Sequence, residues 1–400
     1  MLLREKYLFD YPIFYFIFFS IFLGGCKDGE NIELPIDVLT EKVGVIPPTI
    51  NGKVDQELFD SIFTKISLDS FDILPQINQE LAEGLKQHLK LLKFQKRLKK
   101  EYSGMNITKD QLSETIKILL STQFSNSFGM QHGLEAHQIW GQDQVGNVKF
   151  TGYFTPVLKV REKPNSFYKY PLYQYPKKWK GRLPSRREIE GDGALDSFNL
   201  EIAYARSKLD IYFMQVQGSG YIEFPNGKRK LLAHEGTNKH SYRSIGKYMV
   251  KNGFTTPERV SLKSIKSYFK KNPELVDSIL FQNPSYVFFR PVTTQPRGAG
   301  HVALTPDYSI AIDRSVLPLG SCFLATVPII DENRNFSHHE FRILLAQDIG
   351  GAIKGEGHVD LYQGIGLEAE RDASNLHHYG NLWLLLPKDS IEINQSLDIQ

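Results

Sequence analysis

Residues 347–364 form a glycine-rich segment with an aspartate near each end, Asp348 and Asp360. The apolar run 341–346 before Asp348 predicts a buried strand, and Asp360 lies in a second short apolar segment. A third aspartate, Asp313, ends another predicted strand. Because glycine permits positive φ and a close approach of the backbone, the loop between the first two aspartates leaves room for a bulky ligand. The segment therefore predicts carboxylates at the ends of strands, beside open space.

Strand signals dominate the folded part of the chain. Residues 148–155 alternate apolar and polar side chains until Pro156 ends the run, and apolar runs recur through the last quarter of the sequence. Helix signals are fewer: an amphipathic pattern covers residues 81–102, and a capping box at Thr108 and Gln111 opens a second helix. The lysines of these helices either line a solvated face or contact an anionic polymer.

The fold class expected from this pattern is mainly β with peripheral helices. One barrel-like β domain combines residues 56–156 with 283–387, and a second β domain is inserted over 157–282. The N-terminal helices are expected to pack outside the first domain. Residues 26–55, polar and without periodicity, predict a tether, and 388–400 a tail.

The start of the chain predicts the compartment. Residues 1–25 have basic residues before an apolar run that closes with small residues ahead of Cys26, which is typical of a lipoprotein signal peptide. The run is shorter than the ~20 apolar residues of a membrane span, although an uncleaved anchor helix is the alternative. Both interpretations place the rest of the chain outside the cytoplasmic membrane. Lys27 resembles the residue that follows the lipidated cysteine in outer-membrane lipoproteins, so a lipid anchor on the periplasmic side of the outer membrane is expected, with inner-membrane anchoring as the alternative.

Composition narrows the function classes. The chain is 41% hydrophobic and 23% charged, as in globular proteins, and a net charge of +3 is too small to imply nucleic-acid binding. Once Cys26 carries lipid, Cys322 is the only thiol and no internal disulfide can form. We find no P-loop and no Cys or His spacing typical of a structural metal site, and we expect no cofactor. No exposed heptad pattern suggests an oligomer, so a monomer is expected.

Two segments are candidates for polymer binding. Residues 157–187 carry ten Lys and Arg side chains against one acid, interleaved with tyrosines and Trp179. This stretch predicts either a groove that stacks aromatic rings on sugars or a basic surface loop. Residues 211–217 predict a strand that places Gln215 and Gln217 on one face, where their amides either bind sugar groups or cross-link loops.

The remaining chemistry is that of carboxylates. The sequence has no Gly-x-Ser-x-Gly elbow and no cysteine in catalytic surroundings. His358 either ligates a metal or is a packed, hydrogen-bonded residue. Asp360, with Asp348 or Asp313 as a charged neighbour, has the groups needed to protonate a glycosidic oxygen. The alternative is that these aspartates only cap turns.

Eight short motifs are spread along the chain. They are Gly-Tyr-Phe-Thr-Pro at 152–156, Gly-Arg-Leu-Pro-Ser-Arg at 181–186, Val-Gln-Gly-Ser-Gly at 216–220, Tyr-Arg-Ser-Ile-Gly at 242–246, Asn-Pro-Ser-Tyr-Val-Phe-Phe at 283–289, Asp-Ile-Gly-Gly-Ala-Ile-Lys-Gly at 348–355, His-Val-Asp-Leu-Tyr-Gln-Gly at 358–364 and His-Tyr-Gly at 378–380. In this order they resemble the membrane-bound lytic murein transglycosylase A (MltA) family.

The resemblance covers about 145–386, and its C-terminal part, about 300–387, resembles the three-aspartate (3D) domain, whose aspartates fall on Asp313, Asp348 and Asp360. It implies a double-psi β-barrel with an inserted second β-barrel-like domain and a substrate groove between them. The turn over 355–358 is one residue longer than the family's usual turn.

The resemblance also implies a reaction and a set of site residues. The expected enzyme is an exolytic peptidoglycan lytic transglycosylase that cleaves the β-1,4 bond between MurNAc and GlcNAc and leaves 1,6-anhydro-MurNAc ends. Asp360 is the implied single acid and base, and Asp348 supports it. The implied substrate-binding residues are Thr155, Gln217, Ser219, Asp313 and Tyr362.

Two rival functions stay open at this point. The first is a hydrolase of the same or another β-1,4-glycan, in which a second carboxylate activates water. The second is a non-catalytic, peptidoglycan-binding lipoprotein, because the similar barrel of expansins loosens polysaccharide without cutting it.

Overall fold

The computed structural model describes residues 63–388, apart from 69–70, 72–73, 96–97, 100, 103–104, 123–127, 142, 257–259, 334 and 352. The predicted signal peptide, Cys26, the tether and nearly all of the predicted tail lie outside the described residues. No helix in the described part of the chain is long and apolar enough to cross a membrane.

Fourteen strands and nine α-helices make up the described structure, together with a 3₁₀ turn at Pro273–Leu275. The strands are β1 (Phe63–Ile66), β2 (Leu134–Ile139), β3 (Val148–Thr155), β4 (Val157–Arg161), β5 (Tyr170–Tyr173), β6 (Glu201–Ala205), β7 (Gly220–Glu223), β8 (Arg229–Thr237), β9 (Val287–Val292), β10 (Ser309–Ile312), β11 (Cys322–Ile330), β12 (Phe336–Ile349), β13 (His358–Ile365) and β14 (His377–Pro387). The helices are α1 (Gln79–Phe94), α2 (Lys109–Ser121), α3 (Phe128–Gly133), α4 (Arg186–Glu190), α5 (Lys208–Gln217), α6 (Ile245–Lys251), α7 (Leu262–Lys271), α8 (Val276–Leu280) and α9 (Gly366–Asn375).

The first sheet closes on itself. Its order is β1-β2-β14-β11-β12-β10-β13-β3, and β14 also pairs with β3, so the six strands from β14 to β3 form a closed barrel. Phe323, Leu345 and Leu384 are fully buried in its core, against which α1 and α2 pack their apolar faces. A closed barrel has no free edges, which removes a route to aggregation. The expected mainly β fold with peripheral helices is confirmed.

The second sheet has the order β5-β6-β4-β7-β8-β9. Only Pro156 separates β3 in the first sheet from β4 in the second. The sequence assigned residues from 283 onward to the first β unit, but β9 pairs with β8 of the second sheet. An apolar run identifies a strand without identifying its partner, which depends on residues far away in the chain. We therefore propose that the inserted unit extends to Val292.

Local signals decided where the helices begin and end. The capping box predicted at Thr108 is present, and it opens α2. Residues 211–217 were expected to be a strand but belong to α5. The Ser207 side chain caps the start of this helix by accepting the Asp210 N–H, and Gly218, with φ of 78°, caps its end. Every residue from 211 to 216 is buried, so the pattern of apolar residues does not separate a strand from a helix there. The left-handed glycine is a C-terminal helix signal that resolves the ambiguity.

Candidate functional site

The parallel pairing of β3 with β13 brings the principal site residues together. Asp360 pairs with Thr151, and Tyr362 pairs with Tyr153. Because side chains two residues apart share one face of a strand, Thr151, Tyr153 and Thr155 point to the same side. Thr151 donates a hydrogen bond from Oγ1 to Asp360 Oδ1 at 2.8 Å. The register of two distant segments thus places a hydroxyl against the Asp360 carboxyl.

Asp360 is a buried acid. Only 1% of its surface is exposed. Removal from water raises the pKa of its carboxyl to about 7, with the Thr151 hydrogen bond opposing this rise and the charge of Asp348 adding to it. The carboxyl is consequently about half protonated at neutral pH, which suits a group that has to give a proton and take one back.

Asp348 is held as an anion next to Asp360. Its Oδ1 accepts hydrogen bonds from the Ala299 and Ile349 N–H groups, both at 2.8 Å, and its Oδ2 accepts one from the Tyr153 hydroxyl at 3.1 Å. Burial raises the pKa of Asp348 to about 6, and these three donors limit the rise. At pH 7 most of the Asp348 population is therefore ionised, and its charge discourages ionisation of Asp360.

Gly298 lets the backbone reach the Asp348 carboxyl. A Cβ atom on Gly298 would lie 2.7 Å from Asp348 Cγ and 2.6 Å from the Gln347 carbonyl oxygen, closer than real Cβ contacts. Only glycine fits there without displacing the strand that carries Asp348. The close approach places the Ala299 N–H within reach of Asp348.

Asp313 has hydrogen-bond partners that differ from those of the two buried carboxylates, Asp348 and Asp360. Its Oδ1 accepts the Ser315 N–H at 2.8 Å, and its Oδ2 accepts the Gly355 N–H at 3.1 Å. Partial burial opposes ionisation of Asp313, but these hydrogen bonds outweigh it and lower its pKa. Of the two neighbours considered from the sequence, Asp348 is the one whose charge acts on Asp360. Asp313 ties the strand end after β10 to the glycine-rich loop.

The other predicted substrate contacts lie at the junction of the two sheets. The Thr155 and Tyr362 hydroxyls are 2.8 Å apart, and the Tyr362 ring is 5.2 Å from the Tyr153 ring. Gln217 is the last residue of α5, and Ser219 lies in the turn after it. Two residues further on, the Tyr221 N–H donates to the Pro156 carbonyl at 2.7 Å, which ties this turn to the junction. The buried Oε1 of Gln217 has no hydrogen-bond partner among the described residues.

The basic stretch divides into buried and exposed parts. Arg186 is only 1% exposed and pairs with Glu190 at 2.7 Å. Its guanidinium lies over the rings of Tyr212 and Tyr286, at 4.8 and 5.0 Å from their centroids, and it also donates to Gln215 Oε1. Arg186 and Gln215 therefore hold the interior of the second unit together. Most of the other cations of residues 157–187 stay at the surface.

Sequence analysis missed three contributors to the site: Thr151, Tyr153 and the Ala299 N–H. The two-residue period of β3 is a signal for the first two, since both lie on the face of Thr155, whereas nothing local points to Ala299. His358, interpreted as either a metal ligand or a hydrogen-bonded residue, places Nε2 2.9 Å from Thr151 Oγ1.

Comparison with known proteins connects this geometry to a family. A sequence model of the MltA specific insert domain matches residues 149–290, and a model of the 3D domain matches residues 308–386. The chain is 44% identical over 259 residues to membrane-bound lytic murein transglycosylase A of Escherichia coli strain K12, which covers 64% of this chain and 70% of that protein.

Solved structures agree with the sequence matches. The crystal structure of E. coli MltA with bound chitohexaose superposes with a TM-score of 0.67 at 33% identity, covering 82% of this chain and 94% of that one. A membrane-bound lytic murein transglycosylase from Agrobacterium tumefaciens gives a TM-score of 0.66 at 25% identity, covering 79% of this chain and 94% of that one.

Proposed function

The chain belongs to the membrane-bound lytic murein transglycosylase A family, and we propose that it cleaves the MurNAc–GlcNAc bond of peptidoglycan with Asp360 as its single acid and base. Membership makes it a peptidoglycan lytic transglycosylase, the enzyme class indicated by its motifs. The observation that carries the residue assignment is the fully buried Asp360, with its pKa raised to about 7, beside ionised Asp348.

In the first step, protonated Asp360 gives its proton to the oxygen between MurNAc C1 and GlcNAc. The C1–O bond breaks as positive charge develops at C1, and the GlcNAc-bearing part leaves with a new hydroxyl. The raised pKa keeps the required acid form populated at neutral pH.

In the second step, the Asp360 carboxylate takes the proton of the MurNAc 6-hydroxyl. That oxygen attacks C1 and closes the 1,6-anhydro ring, so Asp360 regains its proton and no water is consumed. One carboxylate therefore suffices, whereas a hydrolase requires a second one to activate water or to form a covalent intermediate. Asp348 serves as the fixed negative charge that holds Asp360 protonated before the first step.

Glycan strands are proposed to lie across the junction of the two sheets. The Thr155 and Tyr362 hydroxyls meet there, and Gln217 and Ser219 flank the turn from α5 to β7. The buried Gln217 Oε1, which has no partner among the described residues, offers an acceptor for a sugar hydroxyl or amide. Asp313 contributes by shaping the glycine-rich loop beside them.

The family and the N-terminal sequence support a proposal for the cellular placement. The relatives are named membrane-bound proteins. We propose that this chain is a monomer anchored by lipid on Cys26 at the periplasmic side of the outer membrane. This placement is supported by the predicted lipoprotein signal peptide.

Mass spectrometry of muropeptides tests the proposed function. Detergent-solubilised protein is incubated with isolated peptidoglycan, and the products are separated and weighed. Anhydro-muropeptides are the expected products. Products heavier by one water would identify a hydrolase, and an unchanged polymer that still binds the protein would identify a binding lipoprotein.

The pH dependence of turnover is expected to follow Asp360. Because the acid form must start the reaction, kcat/KM should fall about tenfold per pH unit above pH ~7. Asp348→Asn removes the negative charge that raises the pKa of Asp360, so this falling limb should move to lower pH.

Asp313→Asn is the matched control for that profile. Asp313 is not among the groups that act on the pKa of Asp360, so its replacement should leave the position of the limb unchanged. Rates measured between pH 5 and pH 9 on one peptidoglycan preparation give all three profiles. An unmoved limb in Asp348→Asn would contradict the assigned role of Asp348.

A further inference from the structure

A single hydroxyl group connects His358 to Asp360. Thr151 Oγ1 lies 2.9 Å from His358 Nε2 and 2.8 Å from Asp360 Oδ1. His358 and Asp360 are two residues apart on β13, so their side chains lie on the same face of the sheet, and Thr151 is opposite Asp360 on the neighbouring strand β3. Thr151 is 4% exposed and Asp360 is 1% exposed, which shields the contact between them from bulk water.

Two arrangements use the Thr151 hydroxyl proton within this chain of contacts. A hydroxyl has one proton to donate, and a neutral imidazole donates from one nitrogen and accepts at the other. In the first arrangement His358 Nε2–H donates to Thr151, and Thr151 donates to Asp360 Oδ1. In the second, protonated Oδ1 of Asp360 donates to Thr151, which donates to an unprotonated Nε2.

The two arrangements place the acid proton on different oxygens of Asp360. When Thr151 donates to Oδ1, that oxygen acts as an acceptor, and the acid proton has to sit on Oδ2. The hydrogen bond that the structure records for Asp360 in the described part of the chain is the one to Oδ1, so we assign Oδ2 as the oxygen that faces the substrate. In the second arrangement the proton is engaged by Thr151 and is not available to the glycosidic bond.

We infer that His358 is a positioning residue that, through Thr151, keeps the catalytic proton of Asp360 on Oδ2. This inference rests on the proposed role of Asp360. In this arrangement His358 acts at a distance from the reacting atoms, by orienting the Thr151 hydroxyl that contacts the acid. The pair thereby converts a symmetric carboxyl group into one with a defined donor oxygen.

The charge state of His358 supports this arrangement. Burial, together with the charge of Lys149, which lies opposite in the strand register, lowers the pKa of His358 to about 4. The ring is therefore neutral at pH 7. Its tautomer, rather than its charge, decides which way the Thr151 proton points.

A double-mutant cycle tests whether His358 acts through Thr151. Thr151→Val and His358→Phe should each lower kcat about 10- to 100-fold with little change in KM, as expected for a lost buried hydrogen bond. The double variant should be no slower than Thr151→Val alone, because His358 has nothing to orient once the hydroxyl is gone. Thr151→Ser, which restores the hydroxyl, should recover most of the activity. Losses that multiply in the double variant would overturn the inference.

Two further measurements keep the result interpretable. His338→Phe, at an exposed site on β12, is the control and should keep wild-type kcat. Long-range ¹H–¹⁵N spectra of the intact protein labelled on histidine report the tautomer without requiring a variant at Thr151 to fold. A proton on Nε2 of His358 supports the inference, and a proton on Nδ1 overturns it. Wild-type protein that makes no anhydro product would instead reject the proposed function itself.

Discussion

Asp360→Asn is expected to reduce the release of anhydro-muropeptides by about 10³-fold or more, because one side chain carries out both proton transfers. Asparagine has nearly the same shape, and its Oδ1 can still accept the Thr151 hydrogen bond, so the barrel should fold normally. Binding to isolated peptidoglycan, measured by co-sedimentation, should be retained. The loss should therefore appear in kcat and not in binding.

The matched control for this variant is Asp331→Asn. Asp331 is an exposed residue in the turn between β11 and β12, where it accepts the Asn335 N–H. The same chemical change there should leave product formation unaltered. Near-normal turnover by Asp360→Asn would contradict the role of Asp360 as the acid and base of the reaction, and another residue would have to supply the proton.

The same variant is expected to be more stable than the wild type at high pH. The pKa of Asp360 rises from 3.8 to about 7 on folding. When folding raises the pKa of a carboxyl, its contribution to the free energy of unfolding is fully present below the unfolded pKa. This contribution is lost as the pH rises through the folded pKa. A difference of about three pH units corresponds to about 4 kcal/mol in the free energy of unfolding at pH 8.

Urea unfolding at pH 4 and pH 8 measures this effect. The free energy of unfolding of Asp360→Asn should exceed that of the wild type by up to about 4 kcal/mol at pH 8 and by less than about 1 kcal/mol at pH 4. The difference is small at pH 4 because this pH lies only just above the unfolded pKa of 3.8, while the folded carboxyl is still neutral. Asp331→Asn should show no such pH-dependent difference. An equal difference at both pH values would mean that the Asp360 carboxyl ionises as it does in water.

Features specified by neighbouring residues were predictable from the sequence. The strand β3 ending before Pro156, the capping box at Thr108 and the placement of Asp348 near a strand end depend only on short segments, and the structure has each of them. The order of the family motifs supplied the rest of the fold, because no single strand pattern specifies a closed barrel.

Features that depend on distant residues were not predictable. In the helix over 208–217 every residue from 211 to 216 is buried, so tertiary packing hides the period that would have identified it. The partner of β9 and the contact of Thr151 with Asp360 depend on register between segments far apart in the chain. The Ala299 N–H reaches Asp348 only because Gly298 has no side chain. The need for glycine there becomes visible only when the segment at Gly298 is seen packed against the end of β12.

Pro156 joins the two sheets with no intervening loop. The chain from Val148 to Arg161 is therefore extended along both strands, and the single residue between them, Pro156, has its φ fixed by its ring. This extended segment contains both Thr151, which contacts Asp360, and Val157, which belongs to the second sheet. We therefore expect a substitution that tilts the second sheet to displace Thr151 as well, and with it the hydrogen bond to Asp360, even where no sugar contact changes.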